Sequence, residues 1–135
     1  MDLAFSTAGA QTARSVLNAY AFLLKTRFGN NLDVKINVPD EKLHQKIVPL
    51  SLQILMENAI KHNIVSSEKP LHIDVFTENG SLVVSNNLQM KNQVNESTGI
   101  GLDNIRNRYK LLSDKPVIVT ESESNFTVSI PLIAN

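Results

Sequence analysis

Two apolar runs, the first of them alternating, meet at Glu78-Asn79-Gly80-Ser81, and that junction restricts the fold more than any other stretch of the chain. On one side Leu71, Ile73 and Val75 alternate with His72, Asp74 and Phe76; on the other stands Leu82-Val83-Val84-Ser85. Asn-Gly is the dipeptide that most readily supplies the left-handed residues of a tight turn, so the two runs read as a β-hairpin. A hairpin with one apolar face needs a covering layer, and three segments with helical spacing can supply it. From Arg14 to Phe28 the residues Val16, Leu17, Tyr20, Leu23, Leu24 and Phe28 recur at that spacing, until Gly29-Asn30-Asn31 stops the helix. Pro49 suits the first turn of a second helix, which runs to about Asn63 with Leu52, Leu55, Met56 and Ala59 as its buried stripe. Ser97-Thr98-Gly99 opens a third, with Leu102, Ile105, Tyr109 and Leu112 on one face.

The remaining runs alternate. Leu32 to Val38 carries Val34, Ile36 and Val38 on one face and is ended by Pro39-Asp40. Val117 to Thr120 and Phe126 to Leu132 form a closing pair around a turn near Ser122–Asn125. The order is helix, strand, helix, hairpin, loop, helix, hairpin. It predicts an α+β fold, a two-layer sandwich in which a mixed sheet carries helices on one face. Residues 1–13 are small and polar and read as a poorly ordered lead-in or the remnant of an upstream helix, leaving 14–135 as one domain.

Composition narrows the function classes. With 135 residues the chain makes one compact domain. Thirteen basic and 13 acidic residues give a formal charge of zero, so no net field draws it to nucleic acid, and none is expected as a partner. The absence of cysteine excludes disulfides, thiolate metal sites and cysteine nucleophiles. No apolar run reaches the roughly 20 residues that span a bilayer, and the amino end lacks a secretory plan.

Two clusters carry chemistry. Glu57-Asn58-Ala59-Ile60-Lys61-His62-Asn63 sets Asn58, Lys61 and His62 on one helix face, opposite much of the apolar stripe. An amide oxygen suits Mg²⁺, a lysine supplies a point charge for phosphate, and an imidazole can bond phosphate or pack beside a base. The same residues would also serve as an ordinary solvated face. In Ser97-Thr98-Gly99-Ile100-Gly101-Leu102 two glycines at a helix start let backbone N–H groups approach an anion, although glycine also serves plain turns. The polar stretch before it, Asn86 to Thr98, has no periodicity and is long enough to be functional.

Taken together, LQILMENAIKHN followed about 35 residues later by STGIGLDNIRNRY resembles the N box and distal glycine box of the GHKL ATPases. Within them it is most similar to the sensor histidine kinases of the LytS type. Tyr20 to Phe28, ending Lys25-Thr26-Arg27-Phe28-Gly29, is similar to the Y-L-x-x-x-x-x-R-F segment that precedes their ATPase domain. Phe-Thr-Val-Ser-Ile-Pro-Leu resembles their last strand. About 115 of the 135 residues are covered, in the element order of the Bergerat fold.

The resemblance implies an ATP-binding catalytic domain with ATP and Mg²⁺ as ligands. Asn58 would ligate the metal, Lys61 would contact a phosphate and His62 would lie against the nucleotide. Gly99, Ile100 and Gly101 would frame the triphosphate, Leu102 would seat that loop, and residues 87–98 would form a lid. Two departures stand out. Val83-Val84-Ser85-Asn86-Asn87-Leu88 holds no Asp-x-Gly, so Asn86 would read adenine without a charge. Ile54 occupies the place, four residues before Asn58, where many relatives carry a glutamate base. Glu57 is the candidate catalytic carboxylate instead, and it is equally well placed for an i,i+4 ion pair with Lys61.

The histidines, His44, His62 and His72, all fall inside the ATPase-like region. The resemblance therefore implies that the phosphorylated histidine sits on a dimerisation domain of the same full-length kinase. A response regulator would be an indirect partner, the isolated domain a monomer, and the site of action the cytoplasmic side of a sensor. Two other readings stay open: a degenerate GHKL-fold interaction module without nucleotide, and a stand-alone anti-sigma serine kinase.

Overall fold

A computed structural model describes residues 11–89 and 100–134. In chain order these form β1 (Gln11–Thr12), α1 (Ala13–Phe28), a 3-10 turn (Gly29–Asn31), β2 (Leu32–Asn37), α2 (Asp40–Leu43), β3 (Lys46–Ile47) and α3 (Pro49–His62). There follow β4 (Leu71–Glu78), β5 (Ser81–Asn87), α4 (Ile100–Lys110), β6 (Ile118–Glu121) and β7 (Asn125–Pro131). Five strands join in the order β2-β4-β5-β7-β6. The β2–β4 pair is parallel and the other three pairs are antiparallel, so the sheet is mixed as predicted.

The period of two along each strand sorts the side chains. Leu32, Leu71, Ile73, Val75, Leu82, Val84, Val128 and Ile130 lie on one face, and all are buried. Against them pack Val16, Leu17 and Leu24 of α1, Leu52, Leu55, Met56 and Ala59 of α3, and Ile105 and Tyr109 of α4, in one continuous core. The opposite face carries Asp33, Lys35, His72 and Asp74. Asp33 and His72 face each other across the parallel pair, with Nδ1 and Oδ2 3.1 Å apart. The β4–β5 hairpin turns at Asn79 and Gly80, both at positive φ (51° and 80°), as the Asn-Gly pair requires.

Two features departed from the sequence reading. Gln11 and Thr12 pair with Lys46 and Ile47, Thr12 caps α1, and Ala13 is fully buried. Residues 11–13, read as lead-in, therefore belong to the fold, while residues 1–10 lie outside the described residues. The stretch after Pro39 holds α2 and β3, which the sequence reading had not assigned. Lys46 exchanges two backbone hydrogen bonds of 2.8 Å with Ile133, so β3 joins the two ends of the domain. Elements of two and four residues are too short to show a period, and their pairing is non-local.

Candidate functional site

Helix α3 presents two faces. Ser51, Leu52, Leu55, Met56 and Ala59 turn into the core. Its other side opens on a cleft of about 500 Å³ lined by Ile54, Glu57, Asn58 and Lys61, together with Gly101 from the first turn of α4 and Arg27 from the last turn of α1. Asn58 is half-buried, whereas Glu57, Lys61 and Arg27 are exposed. Three helices, distant in sequence, thus converge on the polar face predicted for α3.

The approach of α4 to α3 depends on a missing side chain. A Cβ built at Gly101 would stand 3.0 Å from Cγ2 of Ile54, tighter than most real contacts allow. Any larger residue there would require the Ile54 side chain to shift, so glycine favours the close approach of the two helices. Farther along, Tyr109 of α4 is 1% exposed, and its hydroxyl accepts from the backbone N–H of Val48 at 3.0 Å, the residue that precedes α3. The same oxygen lies 3.1 Å from Ser51 Oγ, which donates to the Val48 carbonyl. No side chain of its own caps α3, so the tyrosine satisfies a helix-entry donor and fixes where α4 sits. Burial pushes the Tyr109 phenol above its ordinary range, against the two hydrogen bonds that lower it.

A second network ties the far end of α3 to β5. Asn63, 3% exposed, donates to the Ala59 carbonyl at 2.8 Å and accepts the backbone N–H of Gln89 at 2.7 Å. The Gln89 side-chain amide donates to the carbonyls of Ile64 and Lys69, each at 3.0 Å, and the Gln89 backbone carbonyl accepts from Ile64 N–H at 2.8 Å. These bonds bring the helix end bearing His62 beside the strand end bearing Asn86. Asn86 is 3% exposed on the core face, opposite Ile73 and Phe126. Its amide nitrogen donates to the Asn87 carbonyl at 2.9 Å.

Of the residues singled out from sequence, Glu57, Asn58, Lys61 and Gly101 share the cleft. His62 and Asn86 are not among its lining residues; Asn86 is buried, and His62 is half-buried and engaged in contacts of its own. Leu102 packs half-buried against the core and Ile100 opens α4. Gly99 and positions 90–98 of the expected lid lie outside the described residues. The anticipated Glu57–Lys61 ion pair is not made among the described residues. Nearby, the Tyr20 hydroxyl donates to Gln53 at 2.9 Å. That phenol is raised first by burial and second by the Glu57 charge. Arg27, Asn63, Gln89 and Tyr109 were not read as site residues. Their roles are contacts between elements, for which spacing within one element holds no signal.

No protein-family model matches the chain. Sensor histidine kinase YesM of Bacillus subtilis (strain 168) is 31% identical over 114 residues, which is 78% of this chain and 20% of that protein. Sensor histidine kinase/phosphatase LytS of Staphylococcus aureus (strain MRSA252) is 26% identical over 138 aligned positions, 87% of this chain and 24% of that protein. The chain thus spans a fifth to a quarter of the length of these curated relatives. Among solved structures, the catalytic domain of histidine kinase ThkA superposes with a TM-score of 0.60 at 14% identity, over 93% of this chain and 97% of that one. The cytoplasmic segment of histidine kinase QseC gives 0.61 at 14% identity, over 93% and 78%.

Proposed function

The chain is a relative of the LytS-type sensor histidine kinases with the GHKL (Bergerat) fold of histidine-kinase catalytic domains, and from that premise we propose that it binds Mg·ATP for phosphoryl transfer to a histidine. The observation that carries this reading is the convergence of Asn58, Lys61 and Gly101 on one cleft. A neutral amide oxygen, an ammonium and a glycine-bearing helix start are the groups a metal-bound triphosphate needs, and here they come from two helices locked together by Tyr109.

The donor set suits Mg²⁺. The Asn58 carboxamide offers a hard oxygen within the cleft and would hold Mg²⁺, with substrate phosphates and water completing its shell. When bound, the metal neutralises charge that develops on the transferring phosphoryl group. The protein's part is positioning. Lys61 holds phosphate oxygens, and the first turn of α4 directs backbone N–H groups at them. His62 lies against the nucleotide, and the Asn86 amide oxygen accepts from the adenine amino group. Gly99, Ile100 and Leu102 shape the triphosphate end. Glu57 orients the incoming imidazole. That neutral nucleophile needs little help from a base, consistent with Ile54 standing where a glutamate would otherwise be.

Transfer moves the γ-phosphoryl from its bridging oxygen to an imidazole nitrogen, leaving ADP. We assign the receiving histidine to the dimerisation domain of a full-length kinase, a response regulator to the following step, and the cytoplasm to the site of action. Among the described residues no helix is long and apolar enough to cross a membrane.

Titration of Mg·ADP and a non-hydrolysable ATP analogue into the chain, by calorimetry with thermal shift, tests the reading. Magnesium-dependent binding that weakens at least tenfold in Asn58→Ala is expected. A ligand at a hundredfold excess over Kd should stabilise the fold by about 2.7 kcal/mol. Absence of binding at millimolar nucleotide would favour an interaction module without nucleotide.

A further inference from the structure

We propose that Arg27 is a phosphate-binding residue of this cleft, delivered from outside the two boxes of sequence that define it. The inference rests on the nucleotide reading above and adds a residue to it. Arg27 occupies the last turn of α1 and lines the cleft with Glu57, Asn58, Lys61 and Gly101. Its neighbour Phe28 packs against the core, and the guanidinium carbon rests 4.8 Å from the centroid of that ring. This contact engages no N–H group of the guanidinium in a hydrogen bond and leaves its N–H edge for other partners. Among the described residues no ion pair or hydrogen bond of the Arg27 head occupies that edge.

The charge of the cleft points the same way. Its described lining holds two cations, Arg27 and Lys61, and one anion, Glu57. Lys61 and Glu57 cancel, so the net formal charge of +1 (two minus one) is the contribution of Arg27. Without it the cleft would present no net attraction to a ligand that stays anionic even when bound to Mg²⁺. A guanidinium is also better shaped for the task than a second lysine, because its planar fork engages two phosphate oxygens at once. A charge placed only to complement the α1 dipole would not need this position. Lys25 lies in the same last turn and does not line the cleft.

The test compares the whole chain with Arg27→Ala and Arg27→Lys for binding of Mg·ADP, a non-hydrolysable Mg·ATP analogue and adenosine, which has no phosphate. Arg27→Ala is expected to weaken both nucleotides by about tenfold, the scale of one lost charge-assisted contact, and to leave adenosine unchanged. Arg27→Lys should recover part of the loss. If Arg27→Ala does not fold, Arg27→Gln, which keeps a planar head over Phe28, carries the same comparison. Unchanged nucleotide affinity in the variant, with a wild-type chain that binds, would overturn the role of Arg27 and leave the nucleotide reading standing. Equal losses for adenosine and nucleotide would also overturn it, showing a support role for α1. A wild-type chain that binds none of the three would remove both.

Discussion

At the scale of single residues, the proposed adenine contact turns on the chemistry of Asn86. A carboxamide in this place accepts a hydrogen bond as a neutral group, and contacts to a charged acceptor are roughly twice as strong. Asn86→Asp is therefore expected to tighten adenosine and Mg·ADP alike, by about fivefold to tenfold, read by titration. The same change should lower the stability of the ligand-free fold. At 3% exposure a carboxylate is poorly hydrated, and it forfeits the bond from the Asn86 amide to the Asn87 carbonyl. A variant that lost stability without gaining affinity would show that the Asn86 side chain does not face the base. Gly101 is the complementary case, a residue whose contribution is the space it leaves for Ile54.

At the scale of elements, the cleft is held open and in register by two hydrogen-bonded joints. One joins α4 to the entry of α3 through Tyr109, and the other joins the exit of α3 to β5 through Asn63 and Gln89. Tyr109→Phe keeps the ring in the core and removes the hydroxyl, leaving Val48 N–H without its partner in a buried place. A loss of about 1–3 kcal/mol in chemical denaturation is expected. The joint also has a pH signature. Burial raises the folded-state pKa of Tyr109 above its unfolded value near 10. Its contribution is thus complete below pH 10 and is lost as pH climbs through the folded value. Wild type should accordingly lose stability above pH 10 more steeply than Tyr109→Phe, with parallel curves arguing that the phenol is not the group concerned.

At the scale of the whole molecule, the parallel β2–β4 pair and the β1–β3–Ile133 tie bind together parts of the chain that are far apart in sequence. Comparing a chain that starts at Gln11 with one that starts at Ala13 isolates the β1 contribution. Losing the Thr12 cap and two residues of pairing should cost about 1–2 kcal/mol, roughly 4–10 °C in the midpoint of a domain this size. Equal midpoints would show that β1 adds no stability. Nucleotide binding should survive the shorter start, because β1 lies outside the cleft lining.

How much of this could be read without coordinates follows from the range of each interaction. Alternation at 71–76, helical stripes at 52–59 and 102–109 and the Asn-Gly turn are local patterns imposed by backbone geometry, so the elements, the mixed sandwich and the polar face of α3 were legible in the residues. Glu57, Asn58, Lys61 and Gly101 could be singled out in the same way, as functional groups at fixed spacing. The partnership of Arg27 with that face was not legible. Neither were the Tyr109 cap, the Asn63–Gln89 joint, or β3 as a bridge between the ends of the domain. Each of these depends on which helix or strand lies across from another once the core has closed. Packing of distant segments sets that distance, and no periodicity along one segment encodes it.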